Sequence, residues 1–126
     1  MSNLVLVAIG GSIGASTRYL FFLFAKNYLF PNYLFLNTLL VNILGSFLIG
    51  FLILLIETKS LSQDFIKYFF IIGILGSFTT FSTFSLESIE LMFNKKFVMA
   101  FLYMFLSLSL CLLFTFIGLN FNKFLN

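Results

Sequence analysis

Between Gly73 and Glu87 the sequence reads "GILGSFTTFSTFSLE", which sets Ser77, Thr79, Thr80, Ser82, Thr83 and Ser85 around Phe81 and Phe84. The stretch lies in an apolar run long enough to cross a membrane, where lipid offers a hydroxyl no partner. Phe81 and Phe84 stand at i, i+3 and point the same way, while Thr79, Thr80 and Thr83 cluster on the opposite side. A phenyl ring has a negative face and a positive edge. Ring edges can therefore line an anion path without a full positive charge that would trap the ion. Phenylalanine occurs 21 times in the chain, so two at helical spacing are mostly lipid-facing filler, and it is the hydroxyl context that singles out this pair.

Gly73 and Gly76 precede the pair, and glycine in mid-span weakens a helix. A local break there, marked by Gly76 and Thr79, frees carbonyls, which membranes tolerate only under cover of protein or water. Such carbonyls are hard oxygen ligands suited to a small cation. Glu87 and Glu90 end the segment, and Glu90 reads as interfacial.

The other apolar runs carry polar stripes of their own. Gly10, Gly14 and Arg18 follow at i, i+4, i+8, with the small residues allowing close helix approach. Arg18 either snorkels to the headgroups, anchors loop carbonyls or attracts anions at a vestibule. Thr38, Asn42, Gly45 and Ser46 share a face. A carboxamide near mid-span needs partners, so Asn42 either bonds a neighbouring helix or aims its NH₂ at a passing anion. Tyr103, Ser107 and Cys111 recur every four residues and suggest a polar track.

These residues are set in a chain of 126, long enough for one domain, that is 61% hydrophobic and 9% charged, with mean hydropathy +1.13. So few charges cannot cover that much apolar surface in water, and the implied solvent is a bilayer. Histidine is absent, which removes the usual metal ligand and neutral-pH proton carrier. The single Cys111 cannot form an internal disulfide. The net charge of +3 is scattered through loops without the basic patch that nucleic acid needs. The N-terminus lacks the basic region of a signal peptide and reads as the start of a retained span.

Apolar runs at 4–25, 34–56, 65–93 and 97–119 each suffice for a crossing of roughly 30 Å. Short connectors, "KNYLFPN", "ETKSLSQD" and "NKK", predict an all-α, up-down four-helix membrane domain with a break in the third span. One membrane face receives the N-terminus, Lys59, Lys67 and Lys123, and the other receives Lys26, Lys95 and Lys96, with Arg18 towards it. This near tie leaves open whether one orientation wins or the chain inserts both ways up. Four helices pack around side chains and leave no lumen, so transport would need a dimer or larger assembly.

"GGSIGASTRY" (10–19), "VNILGSFLIG" (41–50) and "GILGSFTTFSTFS" (73–85) resemble the three signature segments of the Fluc fluoride channels, also called CrcB proteins. The likeness spans the first three runs in order, and the fourth fits in length and in Tyr103 and Ser107. It implies a multi-pass protein of the cell (inner) membrane, an antiparallel dual-topology homodimer with two pores that passively exports toxic fluoride from the cytoplasm. On the matching positions Asn42 would be the pore amide and Phe81 and Phe84 the aromatic-edge ligands. Ser82, Thr83, Tyr103, Ser107 and Glu87 would line the polar side. Gly76 and Thr79 would give carbonyls to a structural sodium ion at the dimer centre, and Arg18 matches the family's first-helix arginine. Cys111 departs from the pattern, since a hydroxyl is common there and a thiol is a weaker donor.

The nearest rival is a small four-span proton-coupled multidrug exporter, which needs an embedded carboxylate. Only Glu87 could serve, since Glu57 lies at the very end of its span. A tetraspan assembly factor without transport is a second alternative. No nucleophile–base pair or metal cluster points to an enzyme.

Overall fold

The computed structural model describes residues 2–57 and 63–125, and Lys59 in the second connector lies outside the described residues. Helix α1 covers Asn3–Tyr28, and α2 covers Leu34–Glu57. The third span opens with a turn of α-helix at Gln63–Phe65 and runs as π-helix over Ile66–Leu75. It then returns to α geometry at Gly76–Phe78, and residues 63–78 together are α3. Helix α4 is Phe81–Phe93, α5 is Phe97–Leu119 and α6 is the short Phe121–Leu125. Four helical stretches are long and apolar enough to cross a membrane, Asn3–Tyr28, Leu34–Glu57, Gln63–Phe93 and Phe97–Leu119. Their ends lie within three residues of those read from hydropathy.

Local chemistry sets several ends. Ser2 caps α1, its Oγ accepting from Val5 N at 3.4 Å, and Pro31 lies in the connector that follows. The α4–α5 turn closes with Lys95 N–H bonding Met92 O and Lys96 N–H bonding Leu91 O. Lys95 takes the left-handed conformation (φ 57°) that this helix terminus requires.

Glycines determine how the helices pair. A Cβ on Gly10 would land on Phe69 O, and one on Gly14 on Ile74 O, so α1 lies directly on the backbone of α3. Gly50 and Gly118 make the same close crossing between α2 and α5, against Thr115 O and Phe47 O. Backbone cannot step aside as a flexible side chain can. Gly14→Ala should therefore push α1 off α3, at a cost of about 1–3 kcal/mol. A lowered thermal midpoint of the detergent-solubilised protein checks this, and an unshifted midpoint would contradict so close a crossing. Leu39, Leu91, Ala100 and Tyr103 form the buried core, with Phe84 packed against it. Large apolar residues such as Leu112, Phe116 and Phe93 stay exposed, as lipid contact permits.

The glycines of the third span do not mark the place where the chain leaves the helix. Gly73 sits under Gly10 in the α1 crossing, and Gly76 is fully helical at φ −60°, ψ −30°. The extended residues are Thr79 (φ −78°, ψ 159°) and Thr80 (φ −149°, ψ 118°). β-Branched residues suit extended backbone. Thr80 then caps α4, its Oγ1 accepting from Thr83 N at 3.2 Å.

Candidate functional site

The extended pair lies against α2. Thr80 N–H donates to Asn42 Oδ1 at 2.8 Å, and Asn42 Nδ2 donates to Thr80 O at 3.0 Å. Asn42 thus makes the interhelical bond, with both ends of its amide, and keeps one further N–H. Thr79 O accepts from Arg18 Nη1 at 3.1 Å, so Arg18 turns inward to a carbonyl. Thr79 Oγ1 donates back to Leu75 O at 2.8 Å.

A cavity of about 560 Å³ opens beside this junction. Of the residues to which the resemblance assigns a role, Asn42, Gly76, Thr79, Phe81, Phe84 and Ser107 line it, with Cys111 beside them in the lining. Ser107 is buried, 6% exposed, and its Oγ has no hydrogen-bond partner among the described residues. Phe81 is 78% exposed. Its ring lies 5.4 Å from Phe84, and Phe84 lies 5.2 Å from Tyr103.

Glu87, Tyr103, Ser82 and Thr83 do not line this cavity. Glu87 borders a second one of about 280 Å³, together with Glu90, Asn94, Asn32 and Lys96. Its carboxylate is held from two sides, by Thr38 Oγ1 on Oε1 at 2.9 Å and by Tyr103 OH on Oε2 at 2.7 Å. Thr83 Oγ1 accepts from Thr80 Oγ1 at 2.9 Å, and Ser82 Oγ lies 3.4 Å from Thr80 Oγ1. The rings of Phe81, Phe84 and Tyr103 then lead, contact by contact, from the first cavity to the carboxylate on the second.

Three participants were not assigned these roles from the sequence. Thr38 was visible as part of the α2 stripe, one turn before Asn42, but not as the partner of Glu87. Thr80 was one hydroxyl among several, and its backbone is what Asn42 grips. Gly45 was read only as a member of the stripe. A Cβ there would land on Thr79 Cγ2, so Gly45 makes room for the extended pair.

Four membrane-length helices that gather amide, hydroxyl, carboxylate and aromatic groups along a path of cavities define a polytopic membrane protein with a polar interior. Residues 5–119 match the family described as CrcB-like protein, Camphor Resistance (CrcB), and the chain belongs to that family. It is 46% identical over 118 residues, 94% of each chain, to the fluoride-specific ion channel FluC of Shewanella oneidensis. The FluC proteins of Shewanella baltica and Shewanella loihica are 46% and 43% identical over the same share.

Proposed function

We propose that this chain is a fluoride-specific ion channel, working as an antiparallel homodimer that lets fluoride leave the cytoplasm passively across the cell membrane. The observation that carries the reading is the Phe81–Phe84–Tyr103 ring series, which links a cavity holding Asn42 and the Ser107 hydroxyl, without a partner among the described residues, to the Glu87 carboxylate. The names of the relatives supply the ion.

Fluoride is small and strongly hydrated. A pore must replace that shell with donors yet bind weakly enough to release the ion. The spare Asn42 N–H and the Ser107 hydroxyl offer neutral donors, and the ring edges offer partial positive charge. Neutral ligands strip water without creating a trap. Crowding by two phenyl rings disfavours larger anions. Phe81 lies largely bare on the protomer, and a second copy against this face would enclose the path.

The carbonyls proposed for a structural sodium ion fit the backbone seen here. Thr80 N–H goes to Asn42, so Gly76 O is left without the donor that a continuous helix would give it. Thr79 O accepts one bond from Arg18 and has a second lone pair. Both residues border the cavity. Gly76 O and Thr79 O would hold the ion, whose charge would tie together two protomers.

The test is efflux from liposomes read with a fluoride electrode, with chloride as the control. Rapid, pH-independent release of fluoride with chloride retained is expected. Folded protein that released no fluoride would overturn the reading, and proton-coupled dye efflux would favour a multidrug exporter instead.

A further inference from the structure

We infer that Asn42 and Gly45 form a template on α2 that imposes the extended conformation at Thr79–Thr80, so that Asn42 is a positioning residue for the third span as well as a wall of the path. Nothing in the two threonines compels them to leave the helix. Neither is proline or glycine, and the only proline in the chain is Pro31. Their neighbours on both sides are helical, Gly76–Phe78 before and Phe81–Phe93 after.

In a membrane each backbone polar group must find a partner inside the protein. A continuous helix would give Thr80 N–H to Gly76 O. Here one carboxamide takes both the N–H and the C=O of Thr80, at 2.8 and 3.0 Å, as a neighbouring strand would. Asn42 therefore makes the extended state affordable, and without it the helical alternative is the remaining way to satisfy Thr80. Gly45, one turn further along the same face, supplies the space. The Thr79 methyl fills the volume that any side chain at 45 would take. Arg18 secures the Thr79 carbonyl from the other side but contacts neither threonine N–H.

The consequence reaches the rings. An extended residue advances about 3.3 Å and a helical one 1.5 Å, so winding Thr79 and Thr80 into helix would draw α4 in by roughly 3.6 Å and turn it about its axis. Phe81 is the next residue, and Phe84 follows one turn later.

Two measurements test the template, and only the second rests on the fluoride reading. The first is the carbon chemical shifts of threonine-labelled protein in lipid. Strand-type values at Thr79 and Thr80 are expected in the wild type, and Asn42→Ala should lose them at Thr80. Strand-type shifts that persist in Asn42→Ala would overturn the inference, whereas a residue that merely lined the path would leave them in place. The second is a double-mutant cycle. Gly45→Ala should reduce fluoride efflux by at least about tenfold, because the new methyl meets Thr79 Cγ2. Thr79→Ser removes that atom and keeps the hydroxyl, so the double variant should return to within about threefold of Thr79→Ser alone. If Gly45→Ala does not fold, recovery of folded protein by Thr79→Ser carries the same meaning. A double variant as far below Thr79→Ser as Gly45→Ala is below the wild type would overturn the inference. Wild-type protein that failed to pass fluoride but gave the expected shifts would sink the channel reading and leave the template standing.

Discussion

Phe84→Ile is expected to cut fluoride efflux by about a hundredfold while the protein still folds and assembles. Phe84 is the ring that contacts both Phe81, at 5.4 Å, and Tyr103, at 5.2 Å. It also packs on the core of Leu39, Leu91, Ala100 and Tyr103. Isoleucine keeps most of the apolar contact, so the stability cost should stay near 1–2 kcal/mol, roughly that of a hydrophobic swap with repacking. It lacks the positive ring edge altogether. A hundredfold loss corresponds to roughly 2.7 kcal/mol added to the barrier. Phe81→Ile should act the same way with still less cost in stability, since that ring is largely exposed on the protomer. Electrode-monitored efflux beside gel filtration separates the two quantities. Wild-type flux in both variants would remove the rings from the mechanism.

Gly76→Leu should abolish the dimer and leave the protomer intact. Within the protomer a Cβ at Gly76 meets only Ile71 O, at an ordinary 3.6 Å, and the residue is exposed. Its backbone is helical, so no left-handed conformation is at stake. A side chain at 76 therefore starts without a clash in the single copy. The proposed partner and sodium ion are what it would obstruct. The contrast is Gly14, whose substitution strikes backbone in the same chain. Size-exclusion chromatography with light scattering, in sodium and in a sodium-free buffer, should show monomer for Gly76→Leu in both. A stable dimer whose melting still responds to sodium would contradict the assignment.

The sequence made the spans legible because hydropathy is a local sum. Leu34–Glu57 is dominated by Leu, Ile, Val and Phe despite its polar stripe, and the run from 34 to 56 is unmistakable. Helix faces were legible too, since spacing alone placed Thr38, Asn42 and Gly45 on one stripe. The partners across helices were not. Arg18 to Thr79, Thr38 to Glu87 and Asn42 to Thr80 join residues 61, 49 and 38 positions apart. Spacing within one helix carries no information about which stripe meets which. The same limit blurred the conformational change in the third span, which the sequence puts at Gly76 and Thr79 and which falls on Thr79 and Thr80. Glycine propensity pointed to Gly73 and Gly76, but those residues serve a close crossing and an open face. The extended pair follows three residues later, where a carboxamide from another helix meets it. The π-helix over Ile66–Leu75 left no mark in the apolar pattern either. The ions came from resemblance, because fluoride and sodium leave no signature in hydrophobic periodicity.

The Ser107 hydroxyl, buried and without a partner among the described residues, bears on how such a path can rest. A pore closed by drying requires a lining content to face vacuum. Drying the cavity would strand that hydroxyl and the spare Asn42 N–H, which borders the same cavity, each at a cost of about 1–3 kcal/mol. The lining is better served by water or by the ion at every moment. On the channel reading, the path would hold water or the ion rather than stand dry.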